Sequence, residues 1–343
     1  MRKNLKDKIR ACLVAAIAAA VFALCGCGGS NVIPAPAPND NGGSKTVTLA
    51  EIVEANERLA VEVATVSETG TGTIIAADDE TVTIATCYHL TGYDAAHTEF
   101  RFCGETAFTG SADAVELVGY SAQFDIAIFK VKKGRFDAGK IAGFAEGLQK
   151  KGTGTVALGN AYGLGIAAFE GVVSLPETVE SEENFYKPMI RVTVAGNPGN
   201  SGAPILTADG KLLGMVLGKR TGGEAMTYVL PISIINALYE NALGGTENGN
   251  INYTAIKFES GETTENDVTA KNTVVTLGTG ETAVRIGYAG GEFIKKIADG
   301  QSADEKVKQI NGVKVPSNLI DFTAEAVRKN KVSLTAGNFS QEI

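Results

Sequence analysis

Three short stretches of the 343-residue sequence carry residue types that do chemistry together. Thr86-Cys87-Tyr88-His89 follows a β-branched run, and His89 is one of two histidines in the chain. Phe124-Asp125-Ile126-Ala127-Ile128 sets Asp125 at the opening of an apolar strand, placed to point its carboxylate back into the interior. Gly196-Asn197-Pro198-Gly199-Asn200-Ser201-Gly202-Ala203-Pro204 puts Ser201 in a tight turn. Glycines on both sides let backbone N–H groups come close to a bound carbonyl, as an oxyanion hole requires. Taken singly, these are a satisfied histidine, a strand-initiating acid and a surface turn. Taken together they are a nucleophile, its base and an orienting acid. Serine is a poor nucleophile at neutral pH, imidazole can take its proton, and a buried carboxylate fixes the imidazole tautomer.

The elements that must position these residues are mostly strands. Glycine is 41 of 343 residues without a collagen repeat, which indicates a turn-rich β protein. Short strands are expected over 61–65, 70–75, 82–84, 100–102, 115–118, 126–131, 154–158, 171–174, 189–194, 214–217 and 228–230. Their spacing, with no long helices between them, argues for a barrel or sandwich rather than βαβ units. Helical periodicity is confined to 48–56 and 231–243 in this part, the second ended by Gly244-Gly245. Residues 244–250 then form a natural linker. A second unit, 251–343, starts with strands and holds one helix, with Ser317 as its expected N-cap and Leu319, Phe322, Ala326 and Val327 as its apolar stripe.

The N-terminus is an address. Arg2, Lys3, Lys6, Lys8 and Arg10 precede an unbroken apolar run from residue 11 to 24, the pattern of a secretory signal over 1–26. Leu24-Cys25-Gly26-Cys27 resembles the bacterial lipoprotein cleavage box, with Cys27 as the lipidated residue. A diacylated Cys27 holds a protein on a membrane surface without spanning it. Residues 27–46, with Pro34, Pro36 and Pro38 among Gly and Ser, form an extended, flexible tether. Three of the five cysteines, Cys12, Cys25 and Cys27, fall in the signal and its cleavage box. Cys87 and Cys103 remain in the body, and either a disulfide or two separate buried thiols fits the sequence. A net charge of −8 argues against nucleic acid as a partner. With so few His and Cys residues, no metal ligand set is expected, and no cofactor fingerprint stands in the right context.

The order His, Asp, Ser on an all-β chain resembles the chymotrypsin-like serine proteases, and in detail the HtrA (Deg) type. Gly70-Thr-Gly-Thr-Ile-Ile75 is similar to that family's glycine-rich entry strand. Thr86-x-x-His89, Asp125-Ile-Ala-Ile-Phe-Lys-Val131, Val156-Ala-Leu-Gly-Asn160, Asn197-Pro-Gly-Asn-Ser-Gly202 and Tyr228-Val-Leu-Pro-Ile232 match further segments. The second unit, through Phe293-Ile-Lys-Lys-Ile297 and Val307-Lys-Gln-Ile-Asn-Gly-Val-Lys-Val315, looks like a PDZ domain. The resemblance implies a mainly β fold: a chymotrypsin-like double β-barrel over 47–243, followed by a small PDZ-like α+β domain over 251–343. It implies His89 as general base, Asp125 as its orienter and Ser201 as nucleophile. The oxyanion hole would come from the stretch Gly199, Asn200 and Ser201, and Ala195 and Leu217 would line the pocket for the residue before the scissile bond. No charge is offered there, so an apolar side chain is implied, because a charged one would be buried unpaired.

Two positions depart from the pattern. Ala203 replaces a more usual second glycine and fits only at negative φ. The best candidate for a carboxylate-binding loop, Tyr288-Ala-Gly-Gly-Glu-Phe293, contains Glu292, which would repel a carboxylate facing it. The expected function is an exported, lipid-anchored serine endopeptidase of the bacterial envelope, cleaving unfolded or misfolded polypeptides through an acyl-enzyme. The resemblance also implies homotrimers. The competing reading is a weakly catalytic, protease-like module that recruits partners through its PDZ-like unit. An esterase is disfavoured because Gly199-Asn200-Ser201-Gly202-Ala203 is not Gly-x-Ser-x-Gly and lacks the βαβ context of that motif.

Overall fold

Runs of β-branched residues between glycine and aspartate turns become strands in a computed structural model. It describes residues 47–343 except 93, 112, 180–185, 266–267, 281–282, 290, 297–304 and 337–338. The signal, Cys27 and the tether lie outside the described residues. Helix α1 (Leu49–Asn56) starts at Thr48, whose hydroxyl accepts from the Glu51 N–H while the Glu51 carboxylate accepts from the Thr48 N–H, a capping box. Six strands follow: β1 (Ala60–Ala64), β2 (Thr69–Ala77), β3 (Thr81–Thr86), β4 (Glu99–Arg101), β5 (Val115–Ser121) and β6 (Ile126–Lys132). The Asp78 carboxylate accepts from the N–H groups of Glu80 and Thr81 and so sets the β2–β3 turn. A one-turn helix, α2 (Tyr88–Thr91), continues from β3.

The next strands are β7 (Gly154–Gly159), β8 (Ala167–Val179), β9 (Pro188–Val192), β10 (Pro204–Thr207), β11 (Leu212–Lys219) and β12 (Thr227–Pro231). They close into a barrel in the order β10-β11-β12-β9-β8-β7. Closure depends on the length of β8, which pairs with β7 along its first part and, after register shifts, with β9 along its second. Only 171–174 of it was expected as strand, and all but one of its residues are at least partly exposed.

Helix α3 (Ile232–Leu243) buries Ile234, Ile235 and Leu238. The expected linker is not free chain. It folds as β13 (Thr246–Glu247) and β14 (Asn250–Ile251), and Asn250 pairs with Tyr120 of β5. The first sheet thus runs β13-β14-β5-β6-β3-β2-β1-β4 and, unlike the second, is not closed by its ladder.

The second unit holds β15 (Ile256–Glu265), β16 (Val268–Leu277), β17 (Val284–Ala289), β18 (Glu292–Lys296), β19 (Glu305–Ile310) and β20 (Val313–Lys314). Helix α4 (Leu319–Val327), β21 (Ser333–Ala336) and β22 (Phe339–Glu342) complete it. The N-cap of α4 is Asn318 rather than Ser317: its side-chain oxygen accepts from the Asp321 N–H at 2.8 Å. The apolar face of α4 stacks Phe322 on Phe293 of β18, centroids 4.2 Å apart. Asn241 of α3 donates to the Val327 carbonyl at the end of α4. Residues 47–343 cluster as one compact unit. No helix among the described residues is long and apolar enough to cross a membrane.

Candidate active site

Strand pairing brings the histidine and the aspartate together. In the antiparallel β3–β6 pair Thr86 faces Ala127, so the end of β3 lies beside the start of β6. His89, on the first turn after β3, then reaches Asp125, the residue before β6. The imidazole Nδ1 lies 2.8 Å from Asp125 Oδ2, and the His89 backbone N–H donates to Oδ1 at 2.9 Å. Both carboxylate oxygens are thereby fixed, and the side chain is 8% exposed against 44% for the imidazole.

Ser201 comes from the barrel, on the turn into β10, with its Oγ 3.2 Å from His89 Nε2. The hydroxyl also lies 3.4 Å from the Leu217 carbonyl, a second acceptor. Strand β2 holds this turn against the first sheet. The Thr71 N–H donates to the Ser201 carbonyl at 2.9 Å, the Thr71 hydroxyl to the Gly199 carbonyl at 2.7 Å and the Thr73 hydroxyl to the Gly202 carbonyl at 2.8 Å. Thr86, the last residue of β3, adds a bond from its hydroxyl to the Thr71 carbonyl. The glycines beside these threonines leave room for neighbouring side chains: a Cβ at Gly70 would meet Leu90 Cδ1 at 2.3 Å, and one at Gly72 would meet Ile84 Cγ2 at 2.6 Å. The Gly-Thr-Gly-Thr segment was legible as part of a resemblance. That its two hydroxyls bind the serine turn was not, since hydroxyl direction depends on register across two sheets.

The turn itself requires glycine at two positions. Gly199 has φ +92° and Gly202 φ +87°, and a Cβ on them would meet the Asn160 carbonyl oxygen at 2.2 Å and the Thr71 carbonyl oxygen at 1.8 Å. Ala203 is buried outside the positive-φ region, so an alanine there is accommodated. Of the three residues expected to line the oxyanion hole, Asn200 drops out as a donor because its N–H is bonded to the Asn197 carbonyl at 3.0 Å. Among the described residues the N–H groups of Gly199 and Ser201 make no hydrogen bond, which leaves them as the two donors. Ala195 is exposed at the mouth, and its carbonyl accepts from Asn200 Nδ2 at 2.9 Å. Leu217 is fully buried and meets the site through its carbonyl, not as an open wall.

Cys87 and Cys103 are unpaired thiols and form no disulfide. Cys87 is fully buried and donates to the Val216 carbonyl at 3.3 Å, while Cys103 lies near Glu57 and Arg58. Burial pushes the Cys87 thiol well up, and the charge of Asp125 adds to this, so the group stays neutral. Its sulfur, the His89 imidazole and the Asp125 carboxylate lie within 4.8 Å of one another, a juxtaposition that counting His and Cys residues did not foresee. Burial pulls the His89 imidazole down, but the hydrogen bond and charge of Asp125, with the charge of Glu68, outweigh it and hold the group above its ordinary value. Lys187 opposes that rise.

A deprotonated-on-demand serine, a fixed imidazole, a buried carboxylate and two free N–H groups at a glycine turn can carry out acyl transfer. Sequence comparison with known proteins agrees with this class. Residues 70–215 match the trypsin-like peptidase domain family. A probable periplasmic serine endoprotease, DegP-like, of Buchnera aphidicola is 33% identical over 129 residues, 36% of this chain and 27% of that protein. Its namesake from Halomonas elongata is 33% identical over 127 residues, 35% of this chain and 25% of that protein. The solved inactive form of Rv3671c from M. tuberculosis aligns at 18% identity and a TM-score of 0.49, over 60% of this chain and 97% of that one. Residues 70–215 are thus similar to a trypsin-like peptidase domain and, in sequence, to DegP-like serine proteases, and the chain spans about a quarter of the length of these two curated relatives.

Proposed function

We propose that this protein is a serine endopeptidase that cleaves peptide bonds of unfolded or misfolded envelope proteins. The observation that carries the reading is the unbroken run of contacts from Asp125 through His89 to Ser201. Ser201 Oγ attacks the scissile carbonyl as its proton passes to His89 Nε2. The oxyanion settles on the N–H groups of Gly199 and Ser201, and the imidazolium is stabilised by Asp125. His89 then returns the proton to the leaving amine, giving an acyl-enzyme that water hydrolyses by the same route. The basic N-terminus with its apolar run supports export, and the periplasmic naming of the relatives agrees with an envelope location. Lipidation at Cys27, a preference for apolar residues before the scissile bond and a PDZ-like role for 251–343 complete the reading.

The test is casein digestion by the mature protein and by Ser201→Ala, with the two proteins matched for thermal melting. Digestion by the first and none by the second is expected. Equal digestion, or none by either, rejects the endopeptidase and leaves a protease-like binding module.

A further inference from the structure

Lys187, immediately before β9, is 1% exposed, a burial that a lysine tolerates only with partners for its charge. Its Nζ donates to the Gln123 carbonyl at 3.2 Å. Gln123 lies in the turn from Ala122 to Asp125, closed by the bond from the Asp125 N–H to the Ala122 carbonyl. The same turn gives Asp125 a φ of +54°, unusual for a residue with a side chain. Lys187 therefore grips the segment that presents the orienting carboxylate, and it does so from the barrel that supplies Ser201. None of the motifs in the sequence includes it.

We propose that Lys187 is a positioning residue of the triad: its buried ammonium pins the Gln123–Asp125 turn and offsets part of the carboxylate's charge on the imidazole. The proposal rests on the triad reading above. Among the described residues, the charged or titratable groups acting on Lys187 are Asp125 and Cys87. Those acting on His89 are Asp125, Glu68 and Lys187. Burial lowers the affinity of Lys187 for its proton, and Asp125, then Cys87, restores part of it. The positive charge in turn holds down a His89 pKa that Asp125 holds up. The consequence is that His89 stays a free base to lower pH than an Asp–His pair alone would allow.

The test is an NMR titration of the His89 C2 proton in the wild type, Lys187→Met, Lys187→Gln and Lys187→Arg, with His97→Gln assigning the only other histidine. Removing the charge is expected to raise the His89 pKa by roughly half a unit or more, while Lys187→Arg returns it toward the wild-type value. The acidic limb of kcat/KM moves up by the same amount. A His89 pKa unchanged in folded Lys187→Met or Lys187→Gln overturns the proposal. If both variants fail to fold, the reciprocal measurement decides: the 13Cε titration of Lys187 in the wild type and in Asp125→Asn. A fall in the Lys187 pKa on losing the carboxylate supports the coupling, and no change overturns it. Neither titration needs turnover, so a protein inert toward casein with the expected shifts refutes the endopeptidase and leaves the coupling standing. An active protein without the shifts does the reverse.

Discussion

The serine turn and the aspartate turn face each other across the cleft, yet their conformations have different origins. Around Ser201 the backbone is set locally: Gly199 and Gly202 take positive φ, where the neighbouring carbonyl oxygens leave no room for a Cβ. Around Asp125 a non-glycine residue also sits at positive φ, a strain of about 1 kcal/mol or more that the surroundings must offset. They do so with long-range bonds. His89 N–H and Nδ1 hold the carboxylate, Lys187 holds Gln123, and the second unit holds the turn from behind. Gln123 Nε2 lies 2.5 Å from the Ile256 carbonyl, and Tyr253 bonds both Ser121 and Gln123 while its ring meets Phe124 edge-on. A catalytic residue on a glycine-built turn announces itself in sequence, whereas one held by distant partners does not.

Substitutions sharpen the contrast. The largest effect belongs to Asp125→Asn, which keeps the side chain's shape but removes its charge and favours the wrong tautomer. kcat/KM should fall by about 10⁴-fold. Because Asp125 holds the His89 pKa above its ordinary value of 6.5, losing the charge should move the acidic limb of the residual activity to lower pH. Next comes Gly202→Ala. Its Cβ would sit 1.8 Å from the Thr71 carbonyl oxygen at a φ that alanine avoids, so a loss of about 3 kcal/mol in urea unfolding is expected, with activity gone. The smallest effects separate the two turns. Thr71→Val removes the hydroxyl bonded to the Gly199 carbonyl and should cost about 1–2 kcal/mol of stability together with kcat. Tyr253→Phe removes the bonds to Ser121 and Gln123 and should lower kcat severalfold while Ser201 still reacts with a phosphonate probe. Equal effects of Thr71→Val and Tyr253→Phe on that labelling would erase the distinction between local and long-range support.

The same difference explains what could be read without coordinates. Most strands of the first part and α3 followed from spacing and turn chemistry, while the grouping of His89, Asp125 and Ser201 rested on their order and a family resemblance. The closed second barrel was foreseen in outline, but β10 was missed because Pro204 and a four-residue length hide it. The full length of β8 was hidden by its exposure. The Asn318 cap, the β13–β14 hairpin and the unpaired Cys87 all depend on which neighbours folding supplies. So does Glu177 of β8, whose carboxylate accepts from the N–H groups of Leu319 and Ile320 at 2.6 and 3.0 Å and from the Tyr288 hydroxyl at 2.9 Å. That carboxylate caps α4 from another sheet, a position where helix N–H groups favour negative charge. Tyr288 begins the segment expected to bind a carboxylate, and the group it holds here comes from the chain's own barrel.

The central claim is that His89 and Asp125 make Ser201 nucleophilic, and a fluorophosphonate reaction followed by intact mass tests it most directly. One adduct per chain is expected, located by peptide mapping on Ser201 and formed slowly or not at all in His89→Ala. A folded wild-type protein that takes up no adduct, or a His89→Ala variant that reacts as fast as the wild type, would contradict it.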